Sequence, residues 1–215
     1  MSETNLHKYI CIEGNIGTGK TTLCKMLKQD YNCQLILEQF TDNPFLPLFY
    51  KDPERYAFPV ELFFMSERYK QLQQFLIDRD LFYPFILSDY FFQKTALFAQ
   101  KNLKDEEYQL FLRFFGILEN LFPKPDLLVY LHRPVDQLFE QIKKRNRRIE
   151  IDLQKDYLKR IESAYFSHFN QDVSYPILIL HIADLDFEKY RLDYEQIKKA
   201  IFQPYSKGIH ELEIG

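Results

Sequence analysis

The 215-residue sequence has no tryptophan, only three cysteines and no long apolar run, and its formal net charge is only −3. A membrane-spanning helix needs about 18 apolar residues, and the polar start of the chain does not resemble a signal peptide. We therefore expect a cytoplasmic protein with no membrane partner. Cys11, Cys24 and Cys33 lack metal-ligand spacing and do not suggest a disulfide framework. The near-neutral charge argues against a nucleic-acid partner.

Glycine is also scarce, but three of the six glycines fall in one segment, which follows the apolar run 9–12. This segment has the pattern G-x-x-x-x-G-K-[ST], whose backbone N–H groups wrap a phosphate chain. Its lysine reaches the outer phosphates, and its hydroxyl joins a Mg²⁺ shell. A glycine turn without a ligand is the alternative, but a strand-like run before it and helical spacing after it favour ATP and Mg²⁺. The predicted ATP-binding residues are Gly14, Asn15, Ile16, Gly17, Thr18, Gly19, Lys20, Thr21 and Thr22.

Apolar periodicity divides the chain into alternating strands and helices, which is typical of a parallel sheet covered on both faces. We predict an α/β fold with five parallel strands in a single domain, 1–215. Pro44 and Pro47 predict an irregular segment over 42–52, and the tail from about 204 to 215 is expected to be loosely held. The predicted strands are 9–13, 34–38, 84–88, 126–131 and 177–181.

Phosphate loops of this kind serve several classes of protein, and the rest of the sequence narrows the choice. The Asn-Lys-x-Asp tetrad that reads guanine in GTPases is absent. No long apolar run ending in paired acids follows the loop, which disfavours an AAA-type ATPase. Charged residues near predicted strand ends favour a kinase that acts on a small acceptor.

Several further segments keep a common order and spacing: Asn43-Pro44-Phe45-Leu46, 63–68, Ser88-Asp89, 125–131, 144–147 and 156–160. Together with the phosphate loop they resemble the deoxynucleoside kinase family, in particular its bacterial deoxyadenosine/deoxyguanosine kinase branch, from residue 8 to about 185. The resemblance implies a P-loop kinase fold with a short lid at about 143–152. It implies transfer of the ATP γ-phosphate to the 5′-hydroxyl of a deoxynucleoside, with a purine favoured, in nucleotide salvage. It also implies a homodimer formed through a helix face, for which 56–69 and 108–122 are candidates.

The resemblance assigns the catalytic roles. Glu38, at the end of the second strand, matches the carboxylate that takes the proton of the 5′-hydroxyl. Arg145 and Arg147 match lid positions over the phosphates, where guanidinium groups suit charge that spreads over the phosphoryl oxygens. The alternatives are a solvated glutamate at a strand end and a solvated basic helix end that complements the helix dipole.

Acceptor contacts are implied in the same way. Tyr50 and Glu150 match residues that meet the sugar 3′-hydroxyl, although Tyr50 also fits an aromatic core. Asp89 matches an acid near Mg²⁺ and the acceptor, with Thr21 as the second metal contact. Asp89 also suits the N-cap of the following helix, and both roles are compatible.

The chain departs from the family pattern on the acceptor side. Tyr90 occupies the place of an arginine, Thr95 that of an aspartate, and Glu61 that of the glutamine that reads the base, whereas Arg68 is retained. A tyrosine cannot supply the charge or the fork of donors of a guanidinium, and a glutamate lacks the donor of an amide. Glu61, Arg68, Tyr90 and Thr95 are therefore predicted to contact the acceptor in an altered way.

Three functions stay open at this point. The first is a deoxynucleoside kinase with an altered base preference, favoured by Glu38, Tyr50 and the lid residues. The second is an ATP-binding but catalytically impaired regulatory or partner protein. The third is a kinase of another small hydroxylated metabolite, and the departures at 61, 90 and 95 favour these last two.

Overall fold

The computed structural model describes residues 7–39, 43–77, 82–147, 150–171 and 174–214, with side chains everywhere except at 75–77. Its strands are β1 (Tyr9–Gly14), β2 (Gln34–Ile36), β3 (Ile86–Ser88), β4 (Leu127–His132), β5 (Pro176–His181) and β6 (Gly208–Glu213). Its helices are α1 (Lys20–Asp30), α2 (Leu46–Lys51), α3 (Pro53–Ile77), α4 (Lys94–Asn102), α5 (Asp105–Glu119), α6 (Val135–Arg145), α7 (Lys155–Phe169) and α8 (Arg191–Ile201). Within the described residues, no helix is both long and apolar enough to cross a membrane.

The strands form one parallel sheet in the order β2-β3-β1-β4-β5-β6. Alternate residues of the central strand β1 enter different cores: Ile10 and Ile12 pack with residues of α1 and α8, whereas Tyr9 and Cys11 pack with residues of α7. Burial on both faces explains why β1 is apolar almost throughout, as expected of a parallel sheet. The predicted α/β fold, with a parallel sheet and helices on both faces, is confirmed.

The number of strands is corrected from five to six. Gly208–Glu213 pairs in parallel with β5, with Leu178 opposite His210, although the sequence analysis placed this segment in a loosely held tail. This edge strand is largely exposed, so its apolar pattern is weak, and its backbone hydrogen bonds to β5 are what hold it. That the whole chain forms one domain stays a prediction.

A second correction concerns the segment after β2. The prolines predicted irregular structure, but Leu46–Lys51 forms α2, with Pro47 in its first turn. Proline is tolerated there because the first N–H groups of a helix have no partner within the helix. Pro59 lies inside α3, as expected from the sequence.

The parallel arrangement places the carboxyl ends of the strands at one edge of the sheet. The phosphate loop follows β1, Glu38 comes two residues after β2, and Asp89 comes directly after β3. Since β3 lies between β2 and β1, these three segments are neighbours at that edge. Ligands of open α/β sheets bind at this edge.

Candidate active site

A cavity opens at the carboxyl edge of the sheet, between the phosphate loop, α2, α3, α4, α7 and the segment after α6. Most of the residues predicted from the sequence line it together, which supports a shared binding site for two ligands. The predicted residues in its lining are Ile16, Gly17, Gly19, Lys20, Thr21, Thr22, Glu38, Tyr50, Glu61, Arg68, Asp89, Arg145, Arg147 and Glu150.

The phosphate loop needs glycine at Gly19, where φ is +91° and a Cβ atom would lie 2.7 Å from Cζ of Phe187. The N-terminus of α1 begins directly afterwards, so its dipole and first N–H groups face the cavity. Nζ of Lys20 donates to the carbonyl oxygens of Gly14 and Asn15, at 2.9 Å each. Burial, and next the charge of Lys94, lower the pKa of Lys20 to about 8. This loop therefore presents a cation and a helix N-terminus to an anion.

Three of the predicted loop residues, Gly14, Asn15 and Thr18, do not belong to the described cavity lining. Nδ2 of Asn15 donates to the carbonyl oxygen of Leu158 at 2.8 Å, and Oγ1 of Thr18 donates to the carbonyl oxygen of Asn15 at 3.0 Å. These side chains hold the loop from behind rather than facing the cavity.

Glu38 carries the densest set of charged contacts in the site. Its Oε1 accepts hydrogen bonds from Nε and Nη2 of Arg68, at 2.9 and 2.5 Å, and its Oε2 accepts one from Nζ of Lys94 at 2.8 Å. Burial would raise the pKa of Glu38, but the charges of Lys94 and Arg68 lower it to about 2. Glu38 is therefore ionised at any physiological pH and is held in one orientation.

Asp89 links the phosphate loop to Glu38. Its Oδ2 accepts a hydrogen bond from Oγ1 of Thr21 at 2.5 Å, and its Oδ1 accepts one from the backbone N–H of Glu38 at 2.7 Å. Burial raises the pKa of Asp89, although the Thr21 hydrogen bond opposes this. In the part of the chain that the structure describes, no group of three or more His, Cys, Asp or Glu side chains is placed to hold a metal ion. The oxygen donors of Thr21 and Asp89 nevertheless suit Mg²⁺, which commonly keeps water and substrate phosphate as its other ligands.

Glu61 contributes an open polar atom to the cavity. The residue is 1% exposed, and its Oε1 accepts a hydrogen bond from Nδ2 of Asn102 at 2.6 Å. Its Oε2 is buried and has no hydrogen-bond partner among the described residues. Burial raises the pKa of Glu61 to about 7 despite the Asn102 hydrogen bond. A buried oxygen without a partner is costly, so this position is suited to a ligand that donates a hydrogen bond.

Tyr90 and Thr95 do not belong to the described cavity lining, and their contact with the acceptor stays a prediction. The hydroxyl of Tyr90 donates to Oε1 of Gln71 at 2.9 Å, behind the cavity wall. Oγ1 of Thr95 accepts a hydrogen bond from Nη1 of Arg68 at 2.8 Å. Thr95 therefore influences the site by holding Arg68.

The lid residues lie at the end of α6 and beyond it. Nε of Arg145 donates to Oε2 of Glu150 at 2.9 Å, and a second contact joins Nη2 to Oε1. Asn146, with φ +48°, ends α6 in the left-handed region and turns the chain towards Arg147. Residues 148 and 149 of the predicted lid lie outside the described residues.

Other cavity residues escaped the sequence analysis. Lys94 is the most important, because it is a buried cation in contact with Glu38. Tyr157 packs edge-on against Tyr50, with ring centroids 6.1 Å apart, and its hydroxyl accepts a hydrogen bond from Asn102. Phe64 and Phe98 supply flat apolar walls. These residues make the acceptor half of the cavity aromatic, which suits a planar heterocycle.

Comparison with known proteins finds a matching family model and several similar proteins. The family model described as Deoxynucleoside kinase matches residues 10–204. Deoxyguanosine kinase from Bacillus subtilis (strain 168) is 32% identical over 200 residues, which cover 90% of this chain and 95% of the relative. Deoxyadenosine kinase from Dictyostelium discoideum is 33% identical over 204 residues, which cover 92% of this chain and 79% of the relative.

Solved structures share the fold. Deoxyadenosine kinase from M. mycoides with bound dATP has a TM-score of 0.75 and 24% identity, and the match covers 89% of this chain and 97% of that chain. The same enzyme with bound dCTP has a TM-score of 0.72 and 23% identity, covering 88% and 98%. The similarity extends through almost the whole of each solved chain.

Proposed function

Because the chain belongs to the deoxynucleoside kinase family, we infer that it is an ATP-dependent kinase that transfers the γ-phosphate of ATP to the 5′-hydroxyl of a deoxynucleoside, a step of nucleotide salvage. One observation carries this inference: Asp89 joins Thr21 of the phosphate loop to the backbone of Glu38. A nucleotide-binding element and a buried carboxylate are thus fixed against each other across one cavity. That is what direct transfer between two bound substrates requires.

On the donor side, Lys20 and the N-terminus of α1 bind and orient the outer phosphates of ATP. Lys20 exchanges its hydrogen bonds to the loop carbonyls for phosphate oxygens. Thr21 and Asp89 would hold Mg²⁺, which would neutralise charge on the phosphate oxygens of ATP. Binding of an anion also favours the charged form of Lys20, whose pKa burial and Lys94 depress.

On the acceptor side, Glu38 receives the 5′-hydroxyl proton while the oxygen attacks the γ-phosphorus. With a pKa of about 2, Glu38 is a weak base, so proton transfer to it completes late, as a loose phosphoryl transfer permits. Its chief contribution is to orient the hydroxyl, and Arg68 keeps the carboxylate in position. Arg145 and Arg147 approach the phosphoryl oxygens from the lid as charge develops on them.

We further propose that the base is a purine and that Glu61 reads its edge. Adjacent N–H donors at N1 and N2 of guanine suit an ionised carboxylate, whereas the acceptor–donor pair of adenine suits a protonated one. With a pKa of about 7, Glu61 is available in both forms near neutral pH. The names of the two relatives, a deoxyguanosine kinase and a deoxyadenosine kinase, agree with a purine acceptor.

A homodimer is proposed through α5. Four large apolar side chains share one face of this helix and of the turn after it, and all four are exposed, Ile117 by 69%. Their spacing of i, i+4, i+7 and i+11 is that of a helix-packing stripe. An exposed apolar stripe of this kind commonly marks a protein interface. The four residues, here called the α5 stripe, are Leu110, Phe114, Ile117 and Leu121. The cytoplasmic location and the absence of a nucleic-acid partner stay predictions from the sequence.

The test is ATP turnover with each natural deoxynucleoside and ribonucleoside, with product 5′-monophosphate identified by mass spectrometry. A reaction without acceptor measures ATP hydrolysis alone. We expect phosphorylation of at least one purine deoxynucleoside well above that control. ATP binding without turnover of any nucleoside would instead identify a binding-only protein, and turnover confined to another hydroxylated metabolite would identify a different kinase.

A further inference from the structure

The acceptor half of the site contains a buried cation, Lys94, that the sequence analysis did not identify. Lys94 is the first residue of α4, and its side chain is 7% exposed although it carries an ammonium group. Its Nζ donates to Oε2 of Glu38 at 2.8 Å and lies 5.5 Å from the ring centroid of Phe98. The side chain lines the cavity, whereas that of Tyr90, four residues earlier in the loop before α4, does not.

A buried lysine is retained as a cation only where anions compensate for lost hydration. Burial would lower the pKa of Lys94, but the charges of Glu13 and Glu38 raise it above the ordinary value. Lys94 is therefore charged at physiological pH. Glu13 is itself fully buried and accepts a hydrogen bond from the hydroxyl of Tyr165 at 2.8 Å; burial raises its pKa, and the charge of Lys94 opposes this.

Lys94 lines the same cavity as Lys20 of the phosphate loop. The charge of Lys94 is second only to burial in lowering the pKa of Lys20. Two cations held near one another repel until an anion lies between them. On one side of that space is the loop that binds the outer phosphates, and on the other is Glu38. The anion that fits between them is the phosphoryl group in transfer.

Lys94 is also better placed to change partners than Arg68. Arg68 is fixed by two hydrogen bonds to Oε1 of Glu38 and by a third to Thr95. Lys94 donates one hydrogen bond to Glu38 among the described residues, and an ammonium group has three protons to donate. Its flexible stem allows it to contact Glu38 and a phosphoryl oxygen together.

We propose that Lys94 is a catalytic residue of the transfer, whose ammonium group bridges Glu38 and the transferred phosphoryl group and so supplies the cation that Tyr90 cannot. The proposal rests on the kinase function inferred above. In the step, the bond from the 5′-oxygen to the γ-phosphorus forms as the bond from the γ-phosphorus to the bridging oxygen of ADP breaks. The 5′-hydroxyl proton passes to Oε2 of Glu38, and Lys94 keeps its protons throughout.

The first test is Lys94→Met, which keeps the length of the side chain and removes the charge. We expect kcat to fall about 10²–10³-fold, the usual effect of removing one donor to a developing anion. Binding of ATP, measured by calorimetry, should change less than threefold, because the phosphate loop is intact. Lys101→Met, on the same helix and outside the cavity lining, is the matched control and should keep full activity. A Lys94→Met enzyme with near-normal kcat would overturn the proposal.

Charge restoration separates a catalytic cation from a structural one. Tyr90→Arg, added to Lys94→Met, returns a cation to the loop before α4 and should recover at least tenfold of the lost kcat. Lys94→Arg should retain more activity than Lys94→Met. If neither of these variants is more active than Lys94→Met, although both melt at the temperature of the parent protein, Lys94 does not act through its charge.

A double-mutant cycle with Glu38→Gln distinguishes direct contact with the phosphoryl group from action through Glu38. Direct contact predicts that Glu38→Gln with Lys94→Met loses at least a further tenfold over Glu38→Gln alone. No further loss would reduce Lys94 to a positioning residue for Glu38 and overturn the proposal.

The last test does not depend on turnover. ADP with Mg²⁺ and aluminium fluoride mimics the group in transfer, and its affinity should fall at least tenfold in Lys94→Met while that of ADP alone is unchanged. If the parent protein and Lys94→Met bind the aluminium fluoride complex with equal affinity, Lys94 does not contact the phosphoryl group. If the parent protein phosphorylates no nucleoside, the kinase function fails whatever the binding result, so the two failures are distinguishable.

Discussion

Arg68 places two nitrogen atoms on one carboxylate oxygen of Glu38, Nε at 2.9 Å and Nη2 at 2.5 Å from Oε1. The pair is nearly buried, with side-chain exposures of 4% and 14%. A buried carboxylate held in this way loses freedom of orientation and stays charged. Its other oxygen, Oε2, is directed towards Lys94 and the cavity, so the pair sets which oxygen of Glu38 meets the acceptor.

Glu38→Gln is therefore expected to lower kcat about 10²–10⁴-fold, the usual cost of losing a general base. The amide keeps the shape of the carboxylate but cannot take the 5′-hydroxyl proton. Deoxynucleoside affinity, measured by calorimetry, should survive. Glu54→Gln, which neutralises an exposed acid at the start of α3, is the control. Near-full kcat in Glu38→Gln would remove Glu38 from the mechanism.

Lys20→Ala should weaken ATP binding and lower kcat by about 10²–10³-fold, because the outer phosphates lose a buried cation in a water-poor site. Steady-state kinetics and ATP titration measure the two effects separately. Lys25→Ala removes an exposed lysine one turn further along α1 and should change neither quantity. A Lys20→Ala protein that binds and turns over ATP like the parent would contradict the phosphate-loop assignment.

The lid arginines should act on the transition state more than on the ground state. Arg145→Ala and Arg147→Ala are each expected to lower kcat at least tenfold while the ATP dissociation constant changes less than threefold, because their contacts strengthen as charge develops. Lys144→Ala, an exposed cation at the same helix end, controls for a general loss of charge. Equal losses in kcat and in ATP affinity would show that the arginines bind the phosphates equally well in the ground state and in the transition state. No loss in either quantity would show that they are solvated residues at a helix end.

The sequence predicted those parts of the fold in which local pattern and burial agree. β1 and the phosphate loop were predicted correctly, because an apolar strand and fixed glycines leave little choice of backbone. β6 was missed because an exposed edge strand has little apolar alternation, and its pairing with β5 depends on residues more than twenty positions away. α2 was missed because a proline such as Pro47 usually indicates the absence of a helix. Pro47 is compatible with α2 because it lies in the first turn, which is known only once the start of the helix is known.

For the candidate site, the sequence predicted most of the residues that line the cavity. It did not predict which hydrogen bonds and ion pairs connect the residues of the acceptor side. Lys94 lies in the aromatic-rich run 90–98, where a lone lysine resembles a residue at a helix start. Only the three-dimensional arrangement brings it to Glu38 from a position 56 residues away. Likewise, the hydrogen bonds that join Tyr90 to Gln71 and Thr95 to Arg68 were not predicted. The direction of a side chain from a short loop depends on packing that a single sequence does not encode locally.

Ile117→Glu should convert a dimer into a monomer. The change places a charge at the centre of the α5 stripe, where association would have to bury it, so the dimer dissociation constant should rise at least tenfold. Light scattering coupled to size exclusion measures the mass over a range of concentrations. Gln109→Glu adds the same charge on another face of α5 and should leave the mass unchanged. A parent protein that is monomeric at all concentrations, or an Ile117→Glu protein that stays dimeric, would contradict the assignment of the interface.

Base preference should depend on pH through Glu61. The pKa of about 7 in the folded protein lies above the ordinary value of 4.5, so Glu61 is protonated well below pH 7 and ionised well above it. The ionised form accepts from both donors of guanine, and the protonated form pairs with the acceptor and donor of adenine. The ratio of kcat/KM for deoxyguanosine to that for deoxyadenosine should therefore rise by about tenfold per pH unit on both sides of the pKa, because kcat/KM for deoxyguanosine rises below the pKa and that for deoxyadenosine falls above it.

Glu61→Gln removes the titration while keeping a donor and an acceptor of the same shape. Its ratio should be independent of pH between about 6 and 8, roughly one unit on each side of the pKa of Glu61, and should lie closer to the adenine-favouring limit. Glu67→Gln, on the same helix but paired with Lys70 at 2.6 Å outside the cavity, should keep the pH dependence of the parent. A flat ratio in the parent protein, or a ratio that still titrates in Glu61→Gln, would show that another group reads the base. Because kcat/KM reports ionisations of the free enzyme, the bend in the profile of either substrate also measures the pKa of Glu61 before the acceptor binds.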